Sequence, residues 1–402
     1  MKILMVNKFL YPAGGTETYM FKLGSQLQAM GNEVEYFGMR HDDNCVGNAE
    51  NLYTENMDFH NSGALKKIKL SVKTVYSKEA RSKMKKVLDS FQPDAVHLNN
   101  FNFQLTPSII YAVRDYEKEN NRKVKIIYTA HDYQLVCPNH MMRNPLNNKN
   151  CEKCKYGDYK NCTKGRCIHS SLLKSAVGSL EGYLYKLLNT YSSIDKVICC
   201  SEFMESQIKC NPALKNKTVV LHNFADKKPD KNICKKDYVL YFGRYSEEKG
   251  IKTLCQSAEK LKDISFVFAG SGELSEAVNS IPNVKNVGFK TGRELNELIE
   301  NARFSVYPSE WYENCPFSVI ESISLGTPVI ASNIGGIPEL VENNSNGLLF
   351  ESENADDLSE KIKYLWDNKE LCGKMSENCF ENNFSSLAEY AREYLKIVGD
   401  NI

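Results

Sequence analysis

YVLYFGRYSEEKG, residues 238–250, is the stretch that decides the fold. Five apolar or aromatic residues, Tyr238 to Phe242, run without polar alternation and stop at Gly243. Such a run reads as a short strand covered on both faces, the habit of parallel sheets. A charged turn follows, and then an amphipathic segment of helical period. The same unit repeats downstream: SFVFAG (265–270), RFSVYPS (303–309), PVIAS (328–332) and GLLF (347–350) are each separated by longer segments. Upstream, the expected strands are KILMV (2–6), EVEYFGM (33–39), DAVHL (94–98), VKIIYTA (124–130), KVICC (196–200) and TVVLHN (218–223). Between the two series lies a polar break, ADKKPDKNICKKD (225–237). Strands alternating with helices predict two doubly wound α/β domains. In such sheets ligands bind beyond the carboxyl ends of the strands, and two facing domains would make a cleft.

The 402-residue length agrees with two domains. Apolar residues make up 42% and charged residues 25%, an ordinary globular balance. A net charge of +1 argues against a general nucleic-acid binder. The apolar runs are strand-sized, shorter than a membrane span. MKILMVNKFLYP reads as a first strand and lacks a signal peptide's long apolar region, so a cytoplasmic location is expected.

YENCPFSVIESISLGTP (312–328) places Glu313 and Glu321 with seven residues between them, Pro316 among these. Pro favours the first helical position and Gly326 suits a left-handed C-cap, so a helix from about Pro316 to Leu325 is predicted. Its start would lie at the carboxyl end of the RFSVY strand. The amides of Phe317 and Ser318 then form an anion site suited to a diphosphate. Glu321 would lean toward that end and could accept two hydrogen bonds from a ribose diol. Glu313 could hold a second polyol. The plainer reading is that both glutamates serve the helix dipole.

Other turns follow expected strands. GRYSEEKG (243–250) offers Gly243, Arg244 and Lys249, two cations fit to neutralise a leaving diphosphate or simply to sit on a solvated turn. AGSGE (269–273) contributes Gly272, and GGIPE (335–339) allows close backbone approach. In the first half, YPAGGTET brings Gly14 and Gly15 between strand and helix, without the full dinucleotide fingerprint. TAHDY puts His131 and Asp132 at a strand end, where the histidine serves a sugar or is a satisfied structural side chain.

The order of these motifs (GGTE, HD, GRYSEEKG, GSGE, VGF at 287–289, E-x7-E, GTPVIAS and GGIPE) resembles the retaining glycosyltransferases of family 4, which have the GT-B fold of two Rossmann-like domains. The resemblance spans nearly the whole chain and is densest over 238–352. It implies that Arg244 and Lys249 bind the donor diphosphate, that Glu321 holds the ribose and that Glu313 holds the donor sugar. It further implies that Gly288 and Phe289 receive the base, that His131 is an active-site histidine and that Gly15 lies near the phosphates. Pro316, Phe317 and Ser318 fall in the donor site on the same reading. The implied reaction moves a sugar from a UDP- or GDP-sugar to a glycan or lipid-linked glycan with retained configuration, without a required metal or cofactor, in surface-polysaccharide synthesis. ENCPFSVIESIS departs from relatives that carry Gly after the first glutamate's turn and Ala after the second. The corresponding layout is an N-terminal acceptor-side domain over 1–225 with a Cys-rich insertion at 137–169, a linker at 226–236, a donor domain over 237–382, and a terminal helix within 383–402 that crosses back.

Two segments fall outside the resemblance. CEKCKYGDYKNCTKGRC holds Cys151, Cys154, Cys162 and Cys167, near Cys137, His140 and His169. The spacing suits a structural zinc site; reduced thiols or, less well, an iron–sulfur cluster are the other readings. Residues 65–88 carry nine basic residues against one acid at partly helical period. That suits either contact with the inner face of an anionic membrane or a core-packed helix with a solvated face. A nucleotide-sugar epimerase, or a non-catalytic binding module using the cysteine site, are the rival functions.

Overall fold

The computed structural model describes residues 1–56, 73–225 and 235–399. They form two units, Met1–Leu221 joined by the C-terminal helix, and His222–Ser386. The chain changes unit between Leu221 and His222. Of the expected linker, 226–234 lies outside the described residues; Lys236 donates its amide to Asn301 O within the second unit.

The first unit is built on β1 (Lys2–Val6), β2 (Glu33–Phe37), β3 (Ala95–Leu98) and β4 (Lys125–Ala130). The two-residue strands β5 (Arg143–Asn144) and β6 (Lys149–Asn150) form a separate antiparallel pair. β7 (Lys196–Cys199) and β8 (Thr218–Val220) complete a six-stranded parallel sheet of order β2-β1-β3-β4-β7-β8. Ile3, Leu4, Met5 and Val6 are wholly buried, as a strand covered on both faces requires.

The second unit holds β9 (Val239–Phe242), β10 (Phe266–Ala269), β11 (Val284–Asn286), β12 (Phe304–Tyr307), β13 (Val329–Ser332) and β14 (Gly347–Phe350). Their order is β11-β10-β9-β12-β13-β14, all parallel. The opening stretch explains the layering. Val239 and Tyr241 join a core with Leu254, Phe268 and Ile362, whereas Leu240 and Phe242 join another with Ile299 and Leu325. Alternate residues thus feed opposite faces of one strand. Each large side chain so buried contributes about 1.5–3 kcal/mol. Strand order reverses between β9 and β12, the switch point at whose carboxyl edge ligands bind in such sheets.

β11 was not anticipated. Its sequence, Val-Lys-Asn, is a half-exposed edge strand with no apolar run to mark it. The helix expected from Pro316 spans Phe317–Ser324, with Pro316 as its N-cap at φ −67°, ψ 124° rather than its first helical residue. Gly326 has the left-handed φ of +71°.

The terminal helix is Leu387–Gly399. It packs in the first unit: Tyr390 Oη lies 2.9 Å from Tyr19 Oη, the Tyr394 ring stacks on His97 at 5.0 Å, and Lys125 Nζ donates to Ile397 O.

Of the basic segment, 65–72 lies outside the described residues. The helix Lys78–Phe91 buries Ala80, Met84, Val87, Leu88 and Phe91. Three of its five cations meet acids: Arg81 pairs with Asp115, Lys83 with Glu79, and Lys85 with Asp89 and Glu119.

The cysteine loop packs against the helix Leu172–Leu187. Among the described residues, no group of three or more His, Cys, Asp or Glu side chains is arranged to hold a metal ion. Cys151, Cys154, Cys162 and Cys167 are free thiols. Within the loop, Cys154 and Cys162 pack with Tyr159 in a small apolar cluster, Cys162 and Cys167 hydrogen-bond to each other, and Ser179 Oγ donates to Tyr159 O.

Candidate active site

Three loops at the carboxyl edge of the second sheet converge. The turn after β9 is tied to the loop after β12, since Glu310 N donates to Glu248 O at 2.9 Å. The loop after β13 is tied to the same segment, since Gly336 N donates to Glu313 O at 2.7 Å. Two glycines permit this. Gly250, at φ +71°, has no room for a Cβ, which would meet Pro308 O at 1.8 Å. Gly335, at φ +60°, would place a Cβ 2.3 Å from Glu313 O. These contacts explain why Gly recurs in GRYSEEKG and GGIPE.

Glu313 lies at the centre, only 5% exposed. Its Oε1 accepts from Lys249 Nζ at 2.6 Å, Ser309 Oγ at 2.8 Å and Tyr307 Oη at 3.0 Å. Burial pushes its pKa up, but the Lys249 charge and the hydrogen bonds from Lys249 and Ser309 outweigh it and hold the group below the ordinary carboxylate value. Lys249 Nζ also stands 5.3 Å from the Trp311 ring and 5.7 Å from the Tyr307 ring. Lys249 and Glu313, predicted as separate ligand contacts, are therefore one preformed ion pair.

Arg244 is exposed on the same turn, with no ion pair among the described residues. In the helix Phe317–Ser324, Val319 and Ile320 donate to Pro316 O, which leaves the amides of Phe317 and Ser318 as its outward N-terminal donors. Glu321, half-buried, sits one turn further along. Gly243 and Gly272 occupy the loops after β9 and β10. Gly288, at φ +72°, and Phe289, 74% exposed, follow β11 at the far edge. The edge thus offers a cation, helix amides, a carboxylate and an exposed aromatic ring, a donor set for an anionic, polyhydroxylated, ring-bearing ligand.

In the first unit, Gly14 caps the helix Gly15–Ala29, and both glycines are exposed. Glu17 of the same motif is buried and accepts from Asn7 Nδ2 at 2.8 Å. His131, at the end of β4, lies 2.8 Å through Nε2 from Asn99 Oδ1, and its ring meets Tyr19 edge-on at 4.8 Å. An amide oxygen only accepts, so Nε2 carries the proton and Nδ1 is the basic nitrogen. Burial pushes the His131 pKa down to about 3, so the ring is neutral at pH 7. Burial pushes neighbouring Asp132 up to about 6.

Tyr307, Ser309 and Asn99 were not singled out from sequence. The first two sit in the strand and turn YPS, which advertises only a strand end. Asn99 lies in a run of two asparagines after β3, with nothing to show that one of them orients a histidine.

The family described as Glycosyltransferase Family 4 matches residues 13–228, more than half the chain, and Glycosyl transferases group 1 matches 223–382. An uncharacterized glycosyltransferase of Methanocaldococcus jannaschii is 31% identical over 218 residues, 52% of this chain and 60% of its own. The N,N'-diacetylbacillosaminyl-diphospho-undecaprenol alpha-1,3-N-acetylgalactosaminyltransferase of Campylobacter jejuni is 32% identical over 171 residues, 41% of this chain and 45% of its own. The match therefore spans only about half the length of these two relatives. Among solved structures, Anabaena HepE in complex with UDP and glucose superposes with a TM-score of 0.67 at 16% identity, covering 100% of both chains. That likeness shows the fold.

Proposed function

Because this chain belongs to glycosyltransferase family 4, we propose that it transfers a sugar from a nucleotide-sugar donor, with retained configuration, to a glycan or lipid-linked glycan acceptor. The observation that carries the reading is the convergence of Arg244, the Phe317 and Ser318 amides, Glu321 and the Lys249–Glu313 pair on one sheet edge. Arg244 and the helix amides neutralise the diphosphate as it departs. Glu321 takes the ribose and Phe289 covers the base. Glu313, fixed as a carboxylate by Lys249, orients the sugar's hydroxyls. The names of two similar proteins support the ligand classes: one was solved with UDP, and another acts on a diphospho-undecaprenol acceptor.

On this reading no strong general base is needed. The leaving phosphate accepts the acceptor's proton, and the protein supplies position and charge. Neutral His131 fits that role, since at neutral pH it offers hydrogen bonds and no charge. A place in surface-polysaccharide synthesis, close to a membrane, follows from the acceptor class.

The test is proton NMR of the full chain incubated with each UDP- and GDP-sugar in turn. Slow release of sugar from one donor, first seen in the donor's own anomeric configuration, is expected. An epimerised nucleotide sugar, or no consumption of any donor by folded protein, would overturn the reading.

A further inference from the structure

The helix Leu172–Leu187 in the first unit is turned inside out. It buries Ser175, Gly178, Ser179, Glu181 and Tyr185, and it exposes Leu172, Leu173, Leu180 and Leu187. Leu173 is 71% exposed, Leu180 63% and Leu187 84%. These three recur every seven residues and so share a face. At about 100° per residue, Leu172, Ala176, Val177, Tyr183, Leu184 and Leu188 fall beside them, filling an apolar arc of roughly 160°. Lys174 and Lys186, both exposed, border the arc on its two sides.

The buried face has a clear partner. Thr163 Oγ1 lies 2.7 Å from Ser179 Oγ, Ser179 Oγ donates to Tyr159 O, and the Ile168 amide donates to Ser175 Oγ. The cysteine loop therefore clasps the polar side of the helix and leaves the leucine side outward.

Charge identifies what meets the leucines. Residues 143–186 hold nine Lys or Arg against three Asp or Glu, although the whole chain carries only +1. Lys153, Lys160, Lys164, Arg166, Lys174 and Lys186 of this stretch are all exposed. A second copy would bring two such cationic faces together, which is unfavourable. An anionic lipid surface meets both features at once: leucines enter the acyl boundary while bordering lysines reach the headgroups. No helix among the described residues is long and apolar enough to cross a membrane, so the helix lies on the surface rather than through it.

We infer that the Leu172–Leu187 helix seats the first unit on an anionic bilayer, its leucine face in the interface and the bordering Lys174 and Lys186 on the headgroups. This site is distinct from the basic 65–88 segment and stands independently of the donor-site reading.

The test is co-sedimentation of the full chain with vesicles of equal parts phosphatidylglycerol and phosphatidylcholine, and with phosphatidylcholine alone. The wild type should sediment with the first and much less with the second, and added salt should release it. Leu173→Gln/Leu180→Gln/Leu187→Gln should weaken binding by at least about tenfold without lowering the melting temperature, because these side chains are already exposed. Lys174→Glu/Lys186→Glu should weaken it while leaving the leucines intact. Sedimentation of both variants at wild-type strength would overturn the inference, as would a wild type that stays in the supernatant. A wild-type dimer that the leucine variant dissociates, without vesicle binding, would assign the face to a second copy instead.

Discussion

Removing the Lys249 charge is the sharpest test of the preformed pair. Glu313 is only 7% exposed at its side chain, and Lys249 Nζ lies 2.6 Å from it. In Lys249→Met the carboxylate keeps Ser309 and Tyr307 as donors but loses its counter-charge. Stranding one partner of a buried pair costs about 3–5 kcal/mol. The two surviving donors place the expected loss near the lower end, about 3 kcal/mol. Adding Glu313→Gln removes the stranded charge, so the double variant should recover much of that loss. Both tryptophans of the chain, Trp311 and Trp366, lie in the second unit, so urea unfolding followed by tryptophan emission reads that unit. The pH dependence has a fixed sign. In the wild type the lowered Glu313 pKa contributes stability above the ordinary value of 4.5, lost as pH falls through the folded value. The gap between wild type and Lys249→Met should therefore close in acid. A Lys249→Met protein that unfolds at the wild-type midpoint, or a double variant no better than the single, would refute the argument.

Three further outcomes are expected. Gly335→Ala forces a Cβ against Glu313 O at positive φ and should destabilise the second unit by a few kcal/mol in the same urea assay. Arg244→Ala removes an exposed side chain, so stability should hold within about 0.5 kcal/mol while binding of a nucleoside diphosphate, read by calorimetry, falls by about tenfold or more. Glu181 is buried with Oε1 unpartnered, and burial raises its pKa to about 8. It stays protonated when folded, so stability should fall as pH rises from the ordinary 4.5 toward 8. Glu181→Gln should flatten that slope and stabilise the protein at pH 8 by on the order of a few kcal/mol, measured by scanning calorimetry.

Much of the fold was legible because its strands are unbroken apolar runs, which parallel sheets demand. KILMV is β1 residue for residue, and YVLYF holds β9. β11 escaped because an edge strand of Val-Lys-Asn leaves no apolar signature. At the candidate site, the turns carrying Arg244, Lys249 and Glu313 were readable from glycine and charge. The bond between Lys249 and Glu313, 64 residues apart, was not, because only the sheet brings them together. Nothing in the cysteine spacing shows that Thr163 and Tyr159 of that loop bond to Ser179 on the following helix. The Leu172–Leu187 helix carries its leucines at helical spacing. Only its orientation shows that the small polar residues, not the leucines, face the protein.

The most direct test of the donor site is a calorimetric titration of wild type and Glu321→Gln with UDP- and GDP-sugars. Saturable binding of one donor by the wild type, weakened about tenfold or more in the variant by loss of charged hydrogen bonds to the ribose, is the predicted result. Equal binding by both proteins, or no binding of any donor to the folded wild type, would contradict the account.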